Sequence, residues 1–170
     1  KLLQDVQGII APENPELWNN KGVVLITQGA REAKKEAQDI KITDALYCFQ
    51  TATEKDPAYA PAHFNLSCCY YGMGHLESSE AAVCKAISVL KENPGHTSSL
   101  SGLYLPSRCD SFKVELERLT FSYPDPNQLH IEKTELVLWR FYDLLGDIYF
   151  KKGALALARK SYEQSVEKQP

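Results

Sequence analysis

The fold is decided by residues 142–170, which read YDLLGDIYFKKGALALARKSYEQSVEKQP. Two small residues, Gly146 and Ala158, stand in this stretch where a pair of antiparallel helices needs room to approach closely. Gly153 follows two lysines and suits the left-handed conformation that ends many helices, because glycine has no Cβ to oppose it. The spacing therefore predicts a helical hairpin that turns at Gly153.

A copy of this pattern lies near the start of the chain, beginning at Trp18. Its glycines, Gly22 and Gly29, repeat the interval between the two glycines of the later stretch, and residues 45–57 repeat the later spacing from alanine to proline. Extra residues at 31–42 separate the two halves. They are rich in strong helix formers and hold neither glycine nor proline, so we expect them to extend the second helix.

A looser copy follows, in which Ser67 takes the small position and His63 stands where tryptophan is usual. Its end at Asn93-Pro94-Gly95 is a strong stop signal for a helix. The pattern then fails until about Leu129, except that residues 110–120 have the composition of a helix with Asp110 as its N-cap.

The combined spacing resembles the tetratricopeptide repeat, whose period of about 34 residues carries W-x2-L-G-x2-Y, then A-x3-F, then P. The resemblance implies an all-α fold, an α-solenoid of antiparallel helix hairpins that stack into a superhelix. It implies one domain, 1–170, with repeats at about 15–57, 60–94 and 139–170. The segment 95–128 is the irregular part of that domain.

The composition favours a water-soluble chain with one continuous core. Of the 170 residues, 44% are hydrophobic and 24% are charged, and the mean hydropathy is -0.34. That length is enough to bury a core as a single unit. No apolar run reaches the roughly 18 residues needed to cross a bilayer. The net charge of -3, without a clustered basic face, predicts no nucleic-acid partner.

Both ends have the pattern of a longer helical array. Residues 1–10 have the character of the tail of an earlier helix, and Pro170 closes a repeat with no polar helix after it. Uncapped ends of a solenoid expose apolar surface. We therefore expect flanking sequence, a solvating helix or self-association at these ends.

Neither the cysteines nor the carboxylates point to catalysis. The five cysteines form no C-x-x-C pair, and no histidine stands at zinc-ligand spacing from them. This predicts buried free thiols in a reducing, cytoplasmic compartment, with no metal and no other cofactor. Asp143 and Asp147 are one helical turn apart, but no histidine, phosphate-binding loop or serine elbow accompanies them. We expect no enzymatic activity within this chain.

The resemblance implies that the first helices of the repeats line a concave groove that binds a partner peptide. Pro15, Ala60 and Trp139 are taken as the first positions of the three repeats. The residues predicted to contact the peptide are Asn19, Asn20, Phe64, Asn65, Tyr71, Arg140, Asp143, Asp147 and Lys151. A preformed surface with aromatic, amide and charged side chains would capture the peptide through several weak contacts at once.

Asn20 and Asn65 occupy the same position in successive repeats, and Leu144 takes that place in the third. A row of amides hydrogen-bonds an extended backbone whatever its side chains, and this row is similar to the asparagine ladder of the O-linked N-acetylglucosamine transferases. The alternative is that two exposed asparagines share a solvated helix face. The ladder predicts that Asn20→Ala with Asn65→Ala weakens peptide capture and leaves thermal unfolding nearly unchanged.

The expected function is a protein-interaction scaffold or adaptor. A second family precedent, the clamp for acidic chaperone tails, is matched by Asn65 and roughly by Arg140, but Val23 and Leu144 replace two of its polar residues. Two alternatives stay open. In the first alternative, the chain is a non-catalytic region of a larger enzyme such as a glycosyltransferase. In the second, it is a module that self-assembles through 95–128. The fold does not choose among these functions.

Overall fold

The computed structural model describes residues 13–92 and 129–168, with side chains in the second range from Leu138 onward. Within these ranges the backbone forms helices and no strand, so the predicted all-α class is confirmed. The helices are α1 (Pro15–Gly29), α2 (Lys35–Lys55), α3 (Ala60–Gly72), α4 (Leu76–Glu92), α5 (Leu129–Lys151) and α6 (Leu155–Lys168). The predicted helix at 110–120, the rest of the 95–128 segment, residues 1–10 and Pro170 lie outside the described residues.

Local sequence sets where α1 and α2 begin. The Oδ1 atom of Asn14 accepts a hydrogen bond of 2.9 Å from the backbone N–H of Glu16 and so caps α1. Pro15 occupies the first helical position, where its missing N–H costs nothing. The second helix begins at Lys35. Residues 35–42 of the predicted insert therefore extend this helix, as their helix-forming composition predicts. Residues 31–34 do not, because they form the loop between α1 and α2.

The helices form three antiparallel hairpins, which pair α1 with α2, α3 with α4, and α5 with α6. Successive hairpins are joined where α2 packs on α3 and where α4 packs on α5. The first helices also touch, since α1 contacts α3 and α3 contacts α5. This stacking of each hairpin on the next is the arrangement of an α-solenoid.

The outer two hairpins cross where the first helix carries glycine. A Cβ on Gly22 would lie 2.5 Å from Cε1 of Phe49, and a Cβ on Gly146 would overlap the ring of Tyr162. The aromatic ring of each second helix therefore rests directly on the backbone of the first helix. The predicted close approach at Gly146 is confirmed, and the side chain that uses the space is the aromatic residue one turn after the predicted alanine.

The middle hairpin crosses through two serines. The Oγ of Ser67 donates a hydrogen bond of 2.8 Å to the carbonyl oxygen of Ser79, and the Oγ of Ser79 donates one of 2.8 Å to the carbonyl oxygen of Ser67. Both serines are fully buried. Val83 stands where the other hairpins have an aromatic ring, and its smaller side chain leaves space for the hydroxyls. Reciprocal bonding satisfies both buried groups.

Glycines with positive φ end α3 and α5 in the same way. Gly74 has a φ of +78° and Gly153 a φ of +76°. In each loop the residue after the glycine donates its N–H to a carbonyl near the end of the helix, over 2.8 Å and 2.9 Å respectively, which is the Schellman arrangement. The predicted cap at Gly153 is confirmed. Gly29 differs, because a Cβ there would lie 3.0 Å from the Cβ of Lys41, so this glycine lets α2 approach α1.

Candidate peptide-binding face

The two asparagines of α1 and α3 that meet in the structure are Asn19 and Asn65. The Nδ2 of Asn65 donates a hydrogen bond of 2.8 Å to the Oδ1 of Asn19, and both residues have an exposed fraction of 0%. The prediction that these two side chains line an open groove is therefore wrong about their exposure. The reason is that the Asn65 side chain points from α3 toward the preceding hairpin, so that stacking covers it.

Asn20 stands at the position in α1 that Asn65 has in α3, but it is half-buried. The third residue at this position, Leu144, is buried like Asn65. Because the position faces the preceding hairpin, the predicted row of exposed amides does not form along α1 and α3. Asn20 is the member of the pair that keeps an exposed part.

Phe64 is also covered by hairpin stacking. Its ring lies parallel to that of Phe141 on α5, with 4.4 Å between the ring centroids and 18° between the ring planes. Both rings are buried. The predicted aromatic contact of Phe64 with a peptide is therefore corrected, since this ring joins the second hairpin to the third. Sequence spacing gave no sign of the stack, because its two rings come from repeats far apart in the chain.

Tyr71 and Lys151 do come together at an accessible place. The Nζ of Lys151 lies 3.7 Å from the centroid of the Tyr71 ring, a cation–π contact between the ends of α3 and α5. Tyr71 is half-buried and Lys151 is exposed. The pair combines an apolar surface with a positive charge, which suits a carboxylate or an aromatic side chain of a ligand.

Three further predicted residues lie along α5. Arg140 is half-buried, with its guanidinium carbon 5.1 Å from the centroid of the Trp139 ring. Asp143 and Asp147 are half-buried, and the Oδ1 of Asp147 accepts a hydrogen bond of 2.6 Å from the hydroxyl of Tyr162 on α6. We call the predicted residues that keep exposed surface the first-helix face, which consists of Asn20, Tyr71, Arg140, Asp143, Asp147 and Lys151.

The hairpins share their geometry with a known family of helical repeats. Residues 60–89 and 140–170 match the family model of the tetratricopeptide repeat. The first match falls within the hairpin α3–α4, and the second begins inside α5 and includes the whole of α6. Both of these hairpins are tetratricopeptide repeats. The first hairpin, outside these matches, shares the contact of glycine with an aromatic ring that the hairpin α5–α6 shows. No curated protein matches the chain significantly.

Tetratricopeptide repeats generally mediate protein–protein interaction, and the family is typically non-catalytic.

The second and third hairpins of this chain are joined by a charged link that sequence reasoning missed. On α4, Glu80 accepts a hydrogen bond of 3.0 Å from the Tyr149 hydroxyl and one of 2.6 Å from the Nζ of Lys152, both from the third hairpin. Spacing along the sequence does not predict this link, because its members come from different hairpins.

The charged link shifts the proton affinities of its members. The hydrogen bond from Lys152 holds the pKa of Glu80 below its usual value. Burial, followed by the hydrogen bond and the negative charge of Glu80, raises the pKa of Tyr149 to about 12. Both shifts favour the neutral phenol beside the ionised carboxylate at neutral pH.

Among the described residues outside the first-helix face, we find no reactive thiol in the core and no metal site. Burial raises the pKa of the Cys69 thiol to about 12 and that of Cys68 well above its usual value, so these thiols stay protonated and unreactive. Within 13–92 and 129–168, no three ligating side chains gather in a way that suits a metal ion. None of the helices in those ranges has the length and hydropathy needed to span a membrane.

Proposed function

We propose that this tetratricopeptide repeat chain is a protein-interaction module that holds a peptide segment of a partner protein on its first-helix face. The observation that carries the proposal is the contact of Lys151 with Tyr71, which places a cation and an aromatic ring at an accessible junction between two repeats. A ligand that reaches this junction buries the ring and pairs with the ammonium group at once.

Arg140 and Lys151 set the spacing of the acidic side chains that we expect in the peptide. They lie on one face of α5, because eleven residues make almost exactly three helical turns, and they are separated by about 16 Å along the axis. An extended peptide covers that distance in about five residues. We expect acidic side chains of the peptide about five residues apart, one at each cation.

Burial of Asn19 and Asn65 changes the expected mode of recognition. Since their amides bond each other, they do not supply backbone contacts to the peptide. Recognition then rests on the charged and aromatic side chains of the ligand, which makes it more sequence-selective than a ladder of amides. A small set of such contacts supports micromolar affinity, on the order of -8 kcal/mol.

Free thiols support a reducing compartment for this module. The cysteines within the described ranges form no disulfide, and Cys48, Cys68 and Cys69 are buried among the helices. Apolar packing explains buried cysteines without any disulfide. The negative net charge of the chain supports a protein partner over nucleic acid.

The proposal is tested by mapping a captured peptide and then changing the face. Proteins retained by the 170-residue chain are reduced to the shortest peptide that still binds, and its affinity is measured by fluorescence anisotropy. We expect Lys151→Glu and Tyr71→Ala each to weaken binding about tenfold, which corresponds to about 1.4 kcal/mol. Lys85→Glu, an exposed change of the same charge on α4, is the matched control and should have no effect. If the affinity is unchanged in both variants, the peptide does not bind at the contact of Lys151 with Tyr71.

A further inference from the structure

An apolar depression lies on the outer side of the last hairpin. Ala158 and Tyr162 form its floor, and its apolar rim consists of Phe150, Leu155 and Val166. The rim residues are large and well exposed, with exposed fractions of 63%, 63% and 70%. Contiguous exposed apolar groups mark interaction surfaces.

The charged side chains around the depression follow an order along α6. Arg159 lies in the half of the helix that holds Leu155, and Glu163 and Glu167 lie in the half that holds Val166. The Nε of Arg159 is 2.8 Å from the Oε1 of Glu163, but both side chains are strongly exposed, at 82% and 61%. Exposed pairs of this kind are weak and exchange partners readily.

We propose that this depression binds the same depression of a second copy of the chain, with the two α6 helices antiparallel about a two-fold axis. In such a pairing the beginning of one helix meets the end of the other. Leu155 then packs against Val166 of the partner subunit. Arg159 faces Glu163 of the partner subunit, and the same contact forms again on the other side of the axis.

The charge order selects this orientation. A parallel pairing of two α6 helices would set Arg159 against Arg159 of the partner subunit and would repel it, whereas the antiparallel pairing sets opposite charges together. A partner without this charge order would match only the apolar rim. The depression is therefore complementary to itself.

The size of the surface sets the strength of the dimer. The fourteen residues of α6 extend over about 21 Å. One helix face with one added phenylalanine is smaller than the roughly 800 Å² per partner of a stable interface. We expect a dimer that dissociates at micromolar concentration, on the order of 10 μM.

Sedimentation velocity over a dilution series of the 170-residue chain, from about 1 to 300 μM, measures this equilibrium. The expected result is a monomer at the low end and a dimer at the high end. Val166→Asp should abolish the dimer within this range. Leu157→Asp is the matched control, because Leu157 is also an exposed apolar residue of α6 but does not line the depression. It should leave the equilibrium unchanged.

A charge exchange tests the two-fold arrangement itself. Arg159→Glu alone places glutamates opposite glutamates, and Glu163→Arg alone places arginines opposite arginines, so each variant should be monomeric. An equimolar mixture of the two variants should dimerise, because both contacts across the axis then join opposite charges. Circular dichroism of each variant confirms that α6 stays helical.

Three outcomes would overturn the proposal. If the chain stays monomeric at every concentration, a second copy does not bind the depression, and another segment or another protein would have to cover it. Assemblies larger than a dimer indicate a head-to-tail contact between different surfaces. A mixture of the charge variants that stays monomeric contradicts the antiparallel pairing. Each outcome leaves the first-helix face untouched, since none of its residues lines the depression.

Discussion

Single side chains decide how closely the two helices of each hairpin approach. Glycine in α1 and α5 lets an aromatic ring rest on the helix backbone, and serine in α3 bonds across to α4. The two solutions differ in chemistry but keep the helices close. They also explain why the middle copy has a looser sequence pattern: a valine in place of the ring goes together with a serine in place of the glycine.

The cost of adding a methyl group at these crossings should follow the freedom of the ring above it. Gly22→Ala presses against Phe49, whose exposed fraction is 0%, and we expect a loss of about 2 kcal/mol in the free energy of unfolding. Gly146→Ala presses against the ring of Tyr162. Its hydroxyl is held by Asp147, but the ring is only half-buried and has more room to shift than that of Phe49, so we expect a loss of about 1 kcal/mol. Alanine itself favours the helix by up to about 1 kcal/mol, which offsets part of each cost.

Urea unfolding of both variants measures these losses. Gly72→Ala is the control, since no atom lies within 4 Å of a Cβ built there, and it should be neutral or slightly stabilising. Equal stability of Gly22→Ala and Gly72→Ala would show that the ring of Phe49 does not need the space.

At the scale of the helices, loop chemistry and charge decide how the hairpins turn and join. The loops at Gly74 and Gly153 have the same hydrogen bonds, and the glycine in each of them has a positive φ. The link of Glu80 with Tyr149 and Lys152 has a different origin. It forms because α4 packs on α5, and we expect it to make the stability of the junction between the second and third hairpins depend on pH.

The sign of that sensitivity follows from the raised pKa of Tyr149. In the folded chain the pKa of this phenol is about 12, whereas in the unfolded chain it has its ordinary value of 10.0. Its contribution to stability is therefore complete below about pH 10 and is lost as the pH rises toward 12. After allowance for solvent screening, we expect a loss of about 1 kcal/mol.

Urea midpoints of the chain and of Tyr149→Phe, compared between pH 9 and pH 12, check this expectation. The phenylalanine variant should lose less stability over that range. Tyr47→Phe serves as the control, because Tyr47 is largely exposed and its replacement should not change the pH dependence. On the acid side, Glu80 has a lowered pKa, so its contribution is present above the usual carboxyl pKa and is lost as the pH falls.

For the whole molecule, the contacts between hairpins decide which side chains a partner can reach. The first and second hairpins are joined by Asn19 with Asn65, and the second and third by Phe64 with Phe141. Each hairpin of a solenoid depends on its neighbours for part of its stability. Residues that join hairpins are therefore structural, even where their position along one helix suggests a binding role.

Asn65→Ala tests this structural role. Removing the amide leaves the buried side chain of Asn19 without this hydrogen bond, and we expect a loss of about 1–3 kcal/mol in the free energy of unfolding. Asn20→Ala, at the matched position of α1, should change it by no more than about 0.5 kcal/mol. The sequence-based hypothesis expected nearly unchanged unfolding when both residues are replaced, so the two accounts differ in a measurable way.

Chemical denaturation gives the stabilities, and hydrogen exchange shows where the structure opens. In Asn65→Ala, amides of α1 and α2 should lose protection before those of α5 and α6, because the damaged contact joins the first hairpin to the second. If Asn65→Ala and Asn20→Ala prove equally stable, the buried amide pair contributes nothing to the coupling of the hairpins.

Much of the architecture follows from local spacing. The recurrence of small residues, aromatic residues and glycine caps predicted helical hairpins, the turn at Gly153 and the helical character of the insert before Ala45. These features depend on neighbours three to eight residues away along one helix or loop, and such neighbours are visible in the sequence. The family resemblance was found in the same residues and is confirmed at 60–89 and 140–170.

The sequence by itself determined that this chain folds into stacked helix pairs, because helix periodicity and caps are short-range properties. Only the tertiary structure decided that Phe64, Asn19 and Asn65 are covered while Tyr71 and Lys151 meet at the surface. The position of a residue along a helix tells which way its side chain points relative to that helix. It does not tell what lies there, since the neighbouring hairpin and the rotation between the two hairpins settle which side chains are covered.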